Sequence, residues 1–481
     1  MGLVVDCRED VTLEGLRRVA FEGEAVRFSE RALKRIAAAH ESFQRCLGAN
    51  ADGFIYGLTS GHGPDASKRY SLEETRERRR RRKRSWGPFG GEPLPEYVSR
   101  GAVFACLASL VSGHAAVHPE RALAVLGLLD GTLPQLPSRG LTAAGELAPN
   151  RVLLKALPID DHVSAGWGFH TEAAMAGIAA LLARRRLRLA EITFALSIEA
   201  FMAPLDAYDP ALKVLWGDPY ESIALDTLAT LLQGAGQPRR PYQAPVSYRI
   251  LPKVLGQAHR AVAALDDVSA VALRTDQCNP TYVLPDDEYP QGRALSNGGF
   301  HNAAAAPAID AVTAGWANLG MLAHRHAVKM HRGEVSLLPD RLLPKGTDVT
   351  TGHSTTYMEY VPTGFVEEMR RLAQPTLIPT SDIAASQQDD IAITTPLAFV
   401  NERRAAECFD ATLAVLGVVA SQALHVTSRP APSSLRRFTE ALRQICPPVD
   451  SHRSLASDCA RLSDAFSNAV AYSRSPFLAL I

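Results

Sequence analysis

Apolar residues recur three and four positions apart through much of the chain. Ile309, Val312, Trp316, Leu319 and Ala323 form one such series, and Phe409, Leu413, Leu416, Ala420 and Ala423 form another. That spacing puts every member on one face of an α-helix and leaves the opposite face to polar residues. The run 172–203 carries the same period, whereas alternation with a period of two, bounded by turn residues, is scarce. The pattern predicts an all-α protein whose second half is a helical bundle. Three stretches break the period: 53–95, 136–158 and 275–302, the last with Pro280, Pro285, Pro290 and the pair Gly298 and Gly299. They read as loops, and loops held on a rigid frame carry chemistry more often than helices do. With no internal repeat and no long Pro/Ser linker, 1–481 reads as one domain, loop-rich over residues 1–225 and a helical bundle over residues 226–481.

At 481 residues and 46% hydrophobic content the chain can bury a sizeable core. Lys plus Arg and Asp plus Glu both total 51, so global charge points to no nucleic acid and no membrane surface. The opening MGLVVDCRED lacks a basic segment followed by an apolar one, and no stretch approaches the ~18 uninterrupted apolar residues of a membrane span. A cytoplasmic location is expected. Seven cysteines are scattered without a C-x-x-C pair, which argues for reduced thiols and against a zinc site or a disulfide framework. Asp389-Asp390 and Asp286-Asp287-Glu288 match no metal loop, so no metal is expected.

Charge is unusual only locally. Residues 76–84 read Arg-Glu-Arg-Arg-Arg-Arg-Arg-Lys-Arg. One reading is a solvated loop or helix end held by Glu73, Glu74 and Glu77. The other is a clamp for phosphate or carboxylate built from Arg79, Arg80, Arg81 and Arg82, because guanidinium forks pair bidentately with such groups.

Tyr56-Gly57-Leu58-Thr59-Ser60-Gly61-His62-Gly63 resembles the tyrosine loop of the aromatic amino acid ammonia-lyases and aminomutases, usually Y-G-x-N/T-T-G-F-G. Gly140-Leu141-Thr142-Ala143-Ala144-Gly145-Glu146-Leu147-Ala148-Pro149 stands where that family has G-S-V-G-A-S-G-D-L-A-P. Ala195 to Ala200, Leu273-Arg274, Gly299-Phe300-His301 and the segment from Pro379 through Gln387 to Asp390 follow in the family's order. The resemblance covers essentially the whole chain. It implies an elongated helical bundle of the fumarase/aspartase-like superfamily, a homotetramer, and active sites built from loops of three subunits. It also implies a tyrosine base, and a methylidene-imidazolone electrophile made from an Ala-Ser-Gly tripeptide.

The departures from the family's pattern carry functional information. The tripeptide positions hold Ala143, Ala144 and Gly145, and alanine has no hydroxyl to leave, so no methylidene-imidazolone is expected. The family's second tyrosine falls on Val271, the asparagine of N-G-T falls on Phe169 in Phe169-His170-Thr171, the glutamate of N-Q-E-D-H falls on Gln388, and the aspartate after the tripeptide is Glu146. Retained are Tyr56, Arg274 and Phe300, which the resemblance assigns to proton abstraction, carboxylate binding and the substrate pocket. Phe169, Gln388 and His62 are further candidate binding residues. His170, His62 and His301 bring imidazoles to the same segments, and His170 joins Tyr56 as a candidate acid or base.

Two functions are consistent with these residues. One is a repurposed lyase-like enzyme acting without the electrophile, by elimination or cyclisation, on an activated, amino-acid-derived small molecule that is phosphate-, coenzyme A- or carrier-linked. The other is a catalytically silent member of the family that serves as a binding or scaffold subunit.

Overall fold

The computed structural model describes residues 2–50, 52–81, 87–158, 162–344, 347, 355–377, 389–449 and 455–481, with Arg79 and Tyr357 given as backbone alone. Helix dominates, as the apolar spacing requires. Every member of the two series above is buried, and each large apolar side chain so placed contributes about 1.5–3 kcal/mol relative to exposure. The longest helices are Thr171–Ala200, Leu251–Ala272, Ala305–Met330 and Thr395–Val426. The last is long and apolar enough to cross a membrane by length and composition, yet 83% of its apolar window is buried inside the fold. Among the described residues, sheet is limited to two pairs of short strands. Leu3–Val5 runs parallel to Val26–Phe28, and Thr281–Val283 antiparallel to Arg293–Leu295.

Two stretches that break the apolar period hold helices all the same, Leu72–Arg81 within 53–95 and Leu147–Leu153 within 136–158. The first is charged at nearly every position and so has no apolar stripe to betray it. It starts on a reciprocal cap, with Ser71 N–H donating to Glu74 at 2.7 Å and Glu74 N–H donating to the Ser71 hydroxyl at 3.1 Å. The second is too short for a period to repeat.

The chain packs as two compact units, each drawn from three segments: 1–181, 265–309 and 375–400 in one, and 182–264, 310–374 and 401–481 in the other. In the first, Phe43, Cys46, Leu47, Leu58, Val163 and Tyr282 form a buried cluster. The Tyr282 hydroxyl is 2.8 Å from that of Ser42, so the base of the 53–63 loop is held from below by well-anchored side chains. In the second, Trp316 donates Nε1–H to Glu402 at 2.9 Å and stacks on Phe409, while Arg186 pairs with Asp410 at 2.9 Å. Polar groups carried into that core thus pair with one another, although Glu402 Oε2 has no hydrogen-bond partner among the described residues.

Candidate active site

The 53–63 loop is a tight turn. Leu58, Thr59 and Ser60 all donate backbone N–H to the Ile55 carbonyl at 3.0–3.1 Å, and the Thr59 hydroxyl accepts from Ile55 N–H at 2.7 Å. Gly57 has φ +70°, and a Cβ there would stand 2.4 Å from His62 Nε2, so only glycine admits both the turn and the imidazole. The His62 ring meets the Tyr56 ring edge-on at 5.3 Å, and Gly63 N–H donates to the Tyr56 hydroxyl at 3.5 Å. Tyr56 is half-buried and His62 exposed.

The arginine helix is fastened to this loop. The Thr75 hydroxyl donates to the Leu58 carbonyl, Tyr70 N–H donates to the Thr59 carbonyl at 2.8 Å, and Gly61 N–H donates to the Lys68 carbonyl at 3.1 Å. Arg78 lies over the Tyr70 ring at 3.8 Å and Arg81 pairs with Glu77 at 2.5 Å. Arg80 and Arg81 are exposed, whereas the Arg79 side chain and Arg82 lie outside the described residues.

A second group forms around 143–146. Ala143 and Ala144 are half-buried, and the Ala143 carbonyl accepts Ile393 N–H at 2.9 Å. Gly145 has φ +55° and lies against Phe300, whose Cδ2 would be 2.7 Å from a Cβ at 145. The structure therefore brings Phe300 onto the tripeptide glycine. Glu146 is buried and caps the helix Thr171–Ala200 from outside it, accepting Thr171 N–H at 2.8 Å and Glu172 N–H at 2.6 Å. Glu172 in turn accepts the Thr395 hydroxyl at 2.6 Å on Oε2, while its Oε1 has no hydrogen-bond partner among the described residues.

Burial pushes the Glu172 carboxyl up to about 7, against the opposing pull of the Thr395 hydroxyl and the Asn302 main chain. Burial, and then the charge on Glu172, push Glu146 above the ordinary carboxylate range as well. Two buried carboxyls this close do not both ionise near neutrality. Two backbone N–H groups at a helix N-terminus favour the anion on Glu146, which leaves Glu172 as the member that holds the proton. Sequence reading missed Glu172. Its one signal was a carboxylate opening an otherwise apolar helical run.

The remaining candidates are dispersed. His170 is buried with Nε2 at 3.2 Å from the Ser109 hydroxyl, and burial pushes its imidazole down to about 4 despite the nearby Asp276 carboxylate. Of the two candidate bases Tyr56 is the accessible one, and His170 is enclosed and neutral. The Phe169 ring is fully buried beside Trp167, and its N–H donates to Asn150 at 2.7 Å. Arg274 and His301 are exposed. Val271, 69% exposed, does not occupy the interior of this chain. Gln388 lies outside the described residues.

The chain is similar to known proteins along nearly all of its length. A family model described as aromatic amino acid lyase matches residues 11–158 and 161–445. The histidine ammonia-lyase of Symbiobacterium thermophilum is 26% identical over 96% of both chains. That of Aromatoleum aromaticum is 28% identical over 95% of this chain and 92% of its own. The crystal structure of tyrosine aminomutase from Streptomyces globisporus superposes with a TM-score of 0.84 at 21% identity, covering 97% of each chain, and shares the fold. With a turn-borne tyrosine and a tripeptide loop set in a helical frame, and a match that runs through nearly the whole chain, the protein belongs to the aromatic amino acid lyase family.

Proposed function

We propose that this protein is a lyase-like enzyme that works without methylidene-imidazolone, removing a proton and a leaving group from an amino-acid-derived small molecule. The observation that carries the reading is Ala144: the central tripeptide residue ends in a methyl group, so nothing at 143–145 can lose water to make the electrophile. Relatives named histidine ammonia-lyase support an amino-acid-derived substrate.

In this reading Arg274 binds a carboxylate and Tyr56, acting as its phenolate, accepts a carbon-bound proton. The electron pair of that C–H bond becomes the new double bond, and the bond to the leaving group breaks with its pair going to that group. The leaving group takes up its proton from water. Without the electrophile, the barrier is manageable only for a substrate already activated by an acidified proton or a good leaving group. An intramolecular nucleophile attacking the same centre would give cyclisation. The helix Leu72–Arg81, tied to the tyrosine loop, presents cationic side chains for a phosphate-bearing, coenzyme A-linked or carrier-linked substrate. Charge reversal at Arg79 to Arg82 that leaves binding and turnover unchanged would remove the clamp from the site. Assembly as a cytoplasmic homotetramer completes the proposal, with sedimentation velocity as the check on subunit number.

A second reading, a catalytically silent binding or scaffold subunit, draws on the full burial of Phe169 where the family resemblance implies a polar asparagine. One experiment decides between them: mass spectrometry of a host metabolite extract incubated with native protein and with Tyr56→Phe. A metabolite consumed by the native protein and spared by the variant supports the enzyme. Matching extracts, with the assembly intact, support the scaffold.

A further inference from the structure

In the first compact unit, residues 87–94 run along residues 136–140 and are pinned to them. Leu94 N–H donates to the Leu136 carbonyl at 2.7 Å, Ser138 N–H to the Glu92 carbonyl at 3.1 Å and Arg139 N–H to the Gly90 carbonyl at 3.2 Å. Gly90 and Gly91 bend the strap with φ +97° and +72°, and a Cβ at Gly91 would strike the Ser138 hydroxyl. Beside this bend Phe89 is 87% exposed. A single exposed apolar side chain is ordinary on a protein surface. Phe89 differs in what stands around it.

Two cations flank the strap. A Cβ at Gly87 would lie 3.8 Å from Lys155 Nζ, and a Cβ at Gly91 would lie 3.1 Å from Arg139 Cγ. Lys155 is thus beside the start of the strap and Arg139 beside its end, with Phe89 between those points in the chain. Both are exposed, and among the described residues neither makes an ion pair with Glu92 or any other acid. The same ribbon reaches the tripeptide loop. Gly140, three residues before Ala143, packs on the Phe89 main chain, where a Cβ at 140 would lie 3.4 Å from the Phe89 carbonyl oxygen.

An open aromatic face takes a flat heterocycle by stacking, and guanidinium and ammonium groups take phosphate. A ligand that uses all three side chains carries a base and has phosphate at two places on its sugar. We propose that Phe89, Arg139 and Lys155 bind the adenosine 3′-phosphate 5′-diphosphate end of a coenzyme A thioester, whose flexible arm runs on toward the tripeptide loop. The proposal rests on the reading above that the substrate arrives already activated, and it narrows the carriers named there to one. A thioester carbonyl acidifies the proton on the adjacent carbon, the help that the absent electrophile would otherwise give. A substrate on a carrier protein brings no adenine for Phe89.

The test is isothermal titration of the full-length protein with coenzyme A, adenosine 3′,5′-bisphosphate, 5′-AMP and sodium pyrophosphate. Coenzyme A and the bisphosphate are expected to bind, and 5′-AMP to bind about tenfold more weakly for want of one phosphate contact. Phe89→Ala should weaken coenzyme A by about tenfold, the worth of one base stacked on an aromatic ring, and Arg139→Gln and Lys155→Gln by about tenfold each. All three side chains lie at the surface, so their variants should fold. Tyr56→Phe should leave this binding unchanged, which separates the site from the chemistry. Coenzyme A bound with no turnover of any metabolite would keep the site and sink the lyase reading, and tyrosine-dependent turnover with no coenzyme A bound would do the reverse. Three results overturn the proposal. None of the probes binds; or pyrophosphate or 5′-AMP binds as tightly as coenzyme A and Phe89→Ala changes nothing, which makes the strap a general anion surface; or coenzyme A does not bind and Phe89→Ala splits the assembly in sedimentation velocity, which makes it a contact between subunits.

Discussion

Glutamine at position 172 should make the protein more stable in alkali and change little in mild acid. Glu172 is 1% exposed, and burial holds its carboxyl at about 7 in the folded chain, against an unfolded value near 4.5. Below about pH 4.5 the group is protonated in both states and costs nothing. As pH rises from there the unfolded chain releases its proton while the folded chain retains it, so stability falls until about pH 7 and then levels off. The difference corresponds to about 3 kcal/mol at pH 8. The anionic Glu146 beside Glu172 increases that figure and the helix N-terminus reduces it. Glutamine is neutral throughout, and its carbonyl still accepts the Thr395 hydroxyl. Thermal midpoints of native protein and Glu172→Gln measured from pH 5 to pH 8 should therefore separate steadily, with the variant ahead by roughly 2–4 °C per kcal/mol or somewhat less in a chain of this size. Parallel curves across that range, or a variant that loses ground as pH rises, would refute the assignment of the proton to Glu172.

Three further outcomes are expected. Intact-mass spectrometry of the native protein should find residues 143–145 without loss of water, and a dehydrated species would overturn the reading built on Ala144. Glu199→Ala should cost about 3–5 kcal/mol in thermal or urea unfolding, since it leaves the side chains of Arg239 and Arg429 buried without their shared anion; a loss below about 1 kcal/mol would show that water or backbone carbonyls neutralise them instead. Stability should also fall as pH drops from about 6.5 toward 4, because burial keeps His170 at about 4, His326 at about 3 and His331 at about 4 while the unfolded chain protonates its histidines earlier. Replacing all three by asparagine or glutamine should flatten that limb of the pH profile in chemical denaturation.

The sequence by itself determined the helical class, because a period of 3.6 in apolar residues is a property of neighbours along the chain. Ile309 to Ala323 and Phe409 to Ala423 are buried as that period requires. It determined the tyrosine loop, whose Gly57 is needed where φ is positive and an imidazole abuts the backbone. It also determined that Ala144 offers no leaving group, which is covalent chemistry and needs no fold. The helix Leu72–Arg81 was less legible, since a segment charged on every side has no apolar face to reveal it. Only the tertiary structure decided which charges meet. Glu146 and Glu172 are distant in the chain and adjacent in space, and Arg429 reaches Glu199 across more than two hundred residues. Only burial made Glu172 an acid with a neutral pKa and enclosed His170, because the free energy of a charge depends on how much water and which partners surround it, and neither is written in local sequence.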